Sequence, residues 1–345
     1  MAEIICLHKK YSTTQRLSDN TPEIKITNED RFKTILFLSR NRGRKGEGGL
    51  RTKGYFKKSY EDKPLISIIT VVFNGEKYLE QTIQSLIGQT YDNVEYIIID
   101  GGSRDGTLDI IKKYEDKIDY WVSEKDGGIY DAMNKGLSVC IGDIVGIVNA
   151  DDILYKDTLL KVSNAISMRD IDYTYGSVHF MNQKEIIMGE MFSLSDEDIE
   201  NKKYIDIPFP HPSLFVKKEI YKEIGLFNTK FKLSADYDFS LRLLRENYKG
   251  FNLDMATGKF RSGGSSGGLS TFLDTKDVLL SHNAPKTMVY KNMFFSIAKV
   301  LLLRYFPNLS LKLRKKFRQK SRHKLYETPS DLKYKNNGKG IVDDP

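Results

Sequence analysis

Cysteine is almost absent from this sequence: Cys6 and Cys140 are the only two in 345 residues. They stand far apart and in no zinc-like spacing, which argues against a disulfide framework or a cysteine metal site and fits a reducing compartment. Long apolar runs are missing as well. The most apolar late stretch, MVYKNMFFSIAKVLLLRYF (288–306), is interrupted by Lys291, Lys299 and Arg304, so a membrane-spanning helix is not expected. The opening MAEIICLHKK has too short an apolar core and the wrong charge order for a secretory signal. Neither GxGxxG nor GK[ST] occurs where the strands give way to helices, which disfavours a dinucleotide-dependent oxidoreductase and a P-loop NTPase.

What is present is an ordinary globular composition, 40% hydrophobic and 29% charged, with enough chain for one large domain or two modest ones. The net charge of +8 is concentrated near the ends. Lys312, Arg314, Lys315, Lys316, Arg318, Lys320, Arg322 and Lys324 form an acid-free block, and a second basic run lies between Arg40 and Lys58. Residues 1–63 show weak periodicity. Their NRGRKGEGGLRTKG stretch is rich in glycine and cations, which predicts a basic extension that is partly flexible or ordered only against a partner.

From Pro64 the pattern changes. Leu65 to Val72, LISIITVV, reads as a strand covered on both faces, and EKYLEQTIQSLIGQ follows with helical apolar spacing and Gly88 as a stop. VEYIIID, IDYWVSE and DIVGIVN are further strands, separated by the helices LDIIKKYEDK and IYDAMNKGLSVC. Strand and helix alternating in this way predict an α/β fold with a doubly wound, mostly parallel sheet and helices on both faces. Ligands of such sheets bind beyond the C-terminal ends of the strands. Phe73, Asn74, Asp100, Asp126, Asn149, Asp151 and Asp152 all fall at those ends.

Three segments in order carry a more specific signal. SIITVVFNGEKYLEQTIQSLIGQTYDNVEYIIIDGGSRDGT, the NADD after a buried strand, and SADYDFSLRLL around Asp236 together resemble the inverting glycosyltransferases of family 2, which have the GT-A fold. The resemblance covers about Pro64 to Gly250. Usual members carry Pro and Tyr where this chain has Val71 and Phe73, and Phe73 keeps the aromatic face.

The resemblance implies roles for individual residues. Asp100 corresponds to the carboxylate that accepts a hydrogen bond from the nucleotide base, commonly uracil, with Phe73 and Asn74 beside the donor. NADD corresponds to the DxD motif that binds Mg²⁺ or Mn²⁺ on the donor diphosphate. Asn149 replaces the first Asp, so direct ligation rests mainly on Asp151, while Asp152 assists or contacts the ribose. A hard divalent cation shared with substrate phosphates needs no histidine or cysteine cluster. Asp236 corresponds to the general base, with Ala235 in place of the usual Glu and Asp238 as a positional competitor. Read from pattern alone, Ser234 or Asp236 could equally cap the helix that follows, a role worth about 1 kcal/mol. In EKDGGIYDAMNKG, a run also found in the family, Asp126 and Asn134 offer hydrogen bonds to the donor, against a plain turn as the alternative. His211, between two prolines, either lines the acceptor cleft, contacts the diphosphate or is structural.

The resulting expectation has four parts: the extension 1–63, a GT-A catalytic domain 64–250, an active-site loop and domain end 251–284, and an amphipathic, polybasic helical tail 285–345. The tail resembles an interfacial anchor for an anionic membrane surface, placing the protein in the cytoplasm, peripheral at the inner face of the membrane. The expected activity is metal-dependent, hexosyltransferase-type transfer from a nucleotide-sugar, uridine diphosphate linked, to a glycan or lipid-linked acceptor in bacterial surface polysaccharide synthesis. No nucleic-acid partner is expected. The competing reading is a catalytically silent sugar-nucleotide or polyanion-binding protein.

Overall fold

The β-branched runs become the middle of the sheet because they can be buried on both sides. In the computed structural model, which describes residues 4–261, 269–305 and 323–325, every residue of Ile66–Val72 and Val94–Asp100 is buried. The strands in chain order are Gly46–Gly48 (β1), Ile66–Val72 (β2), Val94–Asp100 (β3), Tyr120–Ser123 (β4), Ile144–Ile147 (β5), Ile153–Leu154 (β6), Tyr173–Met181 (β7), Ile187–Met191 (β8), Phe215–Lys217 (β9), Gly250–Arg261 (β10) and His323–Leu325 (β11). They run in the order β1-β4-β3-β2-β5-β9-β7-β10-β6, with β8 on β7 and β11 on β8. The central four, β4, β3, β2 and β5, are mutually parallel. Antiparallel pairs such as β5 with β9 and β1 with β4 make the whole sheet mixed.

The helices are Leu79–Ile87 (α1), Thr107–Lys113 (α2), Ile129–Val139 (α3), Thr158–Met168 (α4), Asp196–Lys202 (α5), Lys218–Ile224 (α6), Ala235–Arg245 (α7), Leu269–Ser281 (α8) and Lys286–Tyr305 (α9). Alternate residues of β2 divide between two cores. Ile66, Ile68 and Val72 pack with Leu79, Ile83 and Leu86 of α1, whereas Ile69 and Val71 pack with Met133 and Leu137 of α3. That division is the period-2 strand pattern expressed as two helix-covered faces, as expected of a doubly wound sheet. On the α3 side the approach is close: a Cβ on Gly136 would lie 2.4 Å from Ile69 Cγ2.

Two of the expected boundaries and one expected property of the tail need correction. The basic extension is built into the domain: the Ser12 N–H donates to the Ile87 carbonyl at 2.9 Å, β1 pairs with β4, and the Arg51 guanidinium, 2% exposed, is ion-paired with Glu95 of β3, 1% exposed. An arginine ion-paired with a buried carboxylate of the central sheet belongs to the folded body and not to a flexible extension. The division at Gly250 also disappears, because β10 continues through it, paired with β7 from Gly250↔Tyr173 to Arg261↔Met181. In the tail, α9 does not repeat its apolar residues at the spacing of a single helical face, although Tyr290, Phe294 and Phe295 are exposed. The Gly-Gly-Ser loop and nearly all of the polybasic block lie outside the described residues.

Candidate functional site

The C-terminal ends of β2 to β5 carry four loops that interlock. After β2, Asn74 takes a left-handed conformation (φ 52°), which Asn tolerates better than most residues. Its amide N–H donates to Ser103 Oγ at 2.7 Å, and its side-chain Oδ1 accepts from the Arg104 N–H at 2.9 Å. Gly75 N–H donates to Thr107 Oγ1 at 2.8 Å, so the loops after β2 and β3 are pinned together. A Cβ on Gly75 would lie 3.6 Å from Ala150 Cβ, and one on Gly101 would lie 2.6 Å from Asp126 Oδ2. Asn74, Asp100, Asp126 and the Asn149–Asp152 turn are therefore neighbours. Phe73 stands at the edge of this pocket, 62% exposed.

Asp100 is fully buried and its carboxylate is engaged within the protein. It accepts from the Ser103 N–H at 3.0 Å, the Ser103 hydroxyl and the Ser123 hydroxyl. In this geometry Asp100 shapes the loop that would meet a base; direct contact with the base would require one of these bonds to open. Asp126 accepts from the Gly128 N–H at 2.9 Å, and partial burial pushes its carboxyl up from the ordinary range. Asn134 does not face the pocket as a free amide. Its Nδ2 donates to the Phe227 carbonyl and its Oδ1 accepts from the Phe227 N–H, both at 2.9 Å, so the expected donor contact is replaced by a structural tie.

The turn after β5 gathers hard oxygen atoms. Asp151 is half-buried, and Asp152 is 2% exposed. Desolvation pushes both carboxyls up, helped at Asp152 by the charge of Asp151 and opposed at both by Arg261. Asp152 Oδ1 accepts from the Arg261 N–H at 3.1 Å, but Asp152 Oδ2 and Asn149 Oδ1 are buried without a hydrogen-bond partner. Buried acceptors are ordinarily satisfied. Two unmet oxygens beside the Asp151 carboxylate form a donor set that fits a hard divalent cation whose remaining ligands come from substrate and water. No group of three or more His, Cys, Asp or Glu side chains suited to a metal occurs among the described residues, so such a cation would depend on that sharing.

Arg261 is the residue that sequence reasoning missed. Its Nε donates to the Asp151 carbonyl at 3.2 Å, its NH2 group to Gln81 Oε1 at 2.9 Å, and its guanidinium lies 3.9 Å from the centre of the Tyr78 ring. The one signal was its position immediately before the Gly-Gly-Ser loop.

A second group of side chains sits beside this pocket. Tyr130, in the first turn of α3, donates its hydroxyl to Asp236 Oδ1 at 2.8 Å. Burial and the Asp236 carboxylate both push the phenol far above its ordinary pKa, so it remains a proton donor. Tyr130 and His211 both flank Phe227, with ring centres 5.7 and 6.1 Å away. His211 Nε2 is buried without a partner, and desolvation lowers its basicity against the opposing charge of Asp236. Asp236 lies in the first turn of α7, where no side chain forms a cap: Ser234 Oγ pairs instead with Thr275 Oγ1. Asp238 is committed elsewhere, to Arg242 Nε at 3.0 Å and His282 Nε2 at 2.9 Å, which sets it aside as a competitor for the base.

With that geometry in view, comparison with known proteins is informative. A family model described as Glycosyl transferase family 2 matches residues 67–225. A PGL/p-HBAD biosynthesis glycosyltransferase of Mycobacterium bovis is 32% identical over 184 residues, covering 52% of this chain and 69% of that protein. The chain belongs to glycosyltransferase family 2. An uncharacterized glycosyltransferase of Rickettsia typhi is 31% identical over 193 residues, 53% of this chain and 59% of that protein, so this family-2 chain matches less than two thirds of that relative. Among solved structures, S. aureus TarS 1-349 aligns with a TM-score of 0.50 at 18% identity, covering 72% of this chain and 77% of that one, a likeness of fold. The match spans β2 to α6 and stops short of Asp236 and Arg261.

Proposed function

We propose that this family-2 protein is an inverting glycosyltransferase that takes its sugar from a nucleotide donor, uridine diphosphate linked, and passes it to a hydroxyl of a glycan or lipid-linked acceptor. The observation that carries this reading is the short segment Asp126–Tyr130. Asp126 packs against Gly101 in the donor pocket, and Tyr130, four residues on, holds the carboxylate of Asp236. Donor pocket and base are thereby joined through one turn.

In the proposed reaction Asp236 accepts the proton of the acceptor hydroxyl as that oxygen attacks the anomeric carbon. The bond from that carbon to the diphosphate oxygen breaks, and the nucleoside diphosphate leaves on the opposite face. Asp151, with Asn149 and Asp152, would hold Mg²⁺ or Mn²⁺ against the diphosphate, and the cation would neutralise charge developing on the leaving oxygen. Arg261 fixes the turn that presents these oxygens. Phe73 offers an aromatic face for the base, and Asp100 shapes its loop.

The acceptor is proposed to be membrane-associated, with the exposed Tyr290, Phe294 and Phe295 of α9 and the basic block near the C-terminus meeting an anionic surface. No helix among the described residues is long and apolar enough to cross a membrane. Flotation with anionic vesicles should carry the full chain, and loss of that behaviour on truncation at Pro285 is the expected signature; equal flotation of both would contradict it. For the activity, release of nucleoside diphosphate from a panel of nucleotide-sugars with Mn²⁺ is the direct test. No release from any member would overturn the assignment.

A further inference from the structure

At the N-terminal end of the central strands, opposite the donor pocket, lies a cavity of about 520 Å³. Its walls are the N-terminal segment, the Ile141–Asp143 loop that enters β5, and the start of α6. Five lysines line it: Lys25, Lys57, Lys58, Lys218 and Lys222. Two of them are buried, Lys57 at 1% exposure and Lys218 at 7%.

The two differ in their surroundings. Lys57 Nζ donates to the Gln15 carbonyl at 2.5 Å and Lys218 Nζ to the Cys140 carbonyl, one bond each from an ammonium with three donors. Neither forms an ion pair with a carboxylate among the described residues, whereas Lys222 is 3.1 Å from Asp30. Asp143 also lines the cavity but is spent on the Leu65 N–H at 2.8 Å and the Ser59 hydroxyl; Glu23 and Glu219 are exposed. Lys57 lies in the field of the buried carboxylates Asp119 and Glu95, away from the cavity, whereas Lys218, facing a single carbonyl, is poorly compensated for its lost hydration.

An independent observation points the same way. Thr34, 3% exposed and part of the same lining, has a buried hydroxyl with no hydrogen-bond partner. An under-coordinated ammonium at Lys218 and an unmet hydroxyl at Thr34 on one cavity share one complementary chemistry, a compact anion with several acceptor oxygens.

We propose that this cavity binds a small, soluble phosphate-bearing anion, with Lys218 and Thr34 as its ligands, at a site separate from the donor pocket. Lysine serves here as a point charge, which suits a phosphate approached from several directions. The volume accommodates a phosphate together with a small organic group, and the exposed Lys25 and half-buried Lys58 stand where an incoming anion would be attracted.

Isothermal titration of the full chain with inorganic phosphate and with pyrophosphate, at constant ionic strength, tests this. The variants are Lys218→Met, Thr34→Val and, as a donor-pocket control, Asp151→Asn. Saturable binding is expected for the wild type, weakened about tenfold or more in Lys218→Met and several-fold in Thr34→Val, and retained in Asp151→Asn. Thr34→Val is nearly isosteric and removes an unpaired hydroxyl, so it remains decisive if Lys218→Met fails to fold. No saturable binding to the wild type, binding indifferent to both cavity variants, or binding lost in Asp151→Asn would each overturn the proposal. Binding to phosphatidic acid vesicles without binding to either soluble anion would overturn it as well.

Discussion

Tyr130 donates its phenolic hydroxyl to Asp236 Oδ1 at 2.8 Å, joining α3 to the first turn of α7 across 106 residues of sequence. The bond engages Asp236 Oδ1 and so fixes the orientation of the carboxylate proposed as the base. A hydrogen bond to a charged group contributes about 1.5–3 kcal/mol. If that contribution is felt in the transition state, Tyr130→Phe should lower kcat by about tenfold or more while leaving the KM for the donor within a factor of about two. Steady-state kinetics on a responsive donor would check it; a rise in donor KM with kcat unchanged would assign Tyr130 to donor binding instead.

The turn at Asn149–Asp152 predicts a particular metal behaviour. Cation binding requires ionised carboxylates, and burial raises both Asp151 and Asp152. Mn²⁺ affinity should therefore fall as pH falls toward the carboxylate range. Asn149→Asp adds a negative ligand and should strengthen Mn²⁺ binding several-fold, whereas Asp151→Asn should abolish metal-dependent turnover with little loss of folding. Titration of Mn²⁺ by electron paramagnetic resonance at two pH values measures the first two effects.

The ion pair between Arg51 and Glu95 predicts that the N-terminal extension is required for stability. Arg51 also donates to the carbonyls of Leu36 at 2.6 Å and Val139 at 2.9 Å, and Glu95 accepts from the Ile141 N–H at 2.9 Å. Removing the cation strands a buried carboxylate, so Arg51→Met should cost about 3–5 kcal/mol. The double variant Arg51→Met/Glu95→Gln should recover a large part of that loss. Urea unfolding of the three proteins decides; additive losses would show that the two side chains act independently.

Asp119 gives stability a pH dependence of unusual sign. Buried beside Tyr96, whose N–H it accepts at 2.7 Å, its carboxyl is pushed up to about 7 by desolvation, with the charge of Lys57 opposing. Between about pH 4 and 7 the unfolded chain releases this proton while the folded chain retains it, so the contribution to stability falls as pH rises and levels off above about 7. Asp119→Asn keeps an acceptor for Tyr96 and removes the titration. Relative to that variant, the wild type should lose on the order of a few kcal/mol between pH 4.5 and 7.5, measured by urea unfolding at both.

The centre of the fold was legible because continuous β-branched runs such as LISIITVV have few alternatives to a strand buried on both faces, and both sides of β2 are occupied as that pattern requires. The residues at the strand ends were legible for the same reason. What was hidden depended on tertiary neighbours. The two hydrogen bonds of the Asn134 side-chain amide to the Phe227 backbone and the engagement of Asp238 by His282 cross long stretches of sequence without a local mark. Arg261 looked like the edge of a flexible loop, yet β10 carries it back onto the Asn149–Asp152 turn. The glycines and cations before Lys58 suggested a linker. Instead Gly46 and Gly48 let β1 lie against Trp121, where a Cβ on either would come within 2.8 Å of the indole.

The central claim is that Asp236 acts as the base of a nucleotide-sugar-dependent transfer. The most direct measurement is nucleoside diphosphate release in the presence of Mn²⁺ from a panel of nucleotide-sugars, for wild type and Asp236→Asn, with thermal unfolding of both. The account predicts release by the wild type and a loss of at least about a hundredfold in the variant, at a cost in stability of about 1 kcal/mol or less. Release undiminished in Asp236→Asn would contradict it.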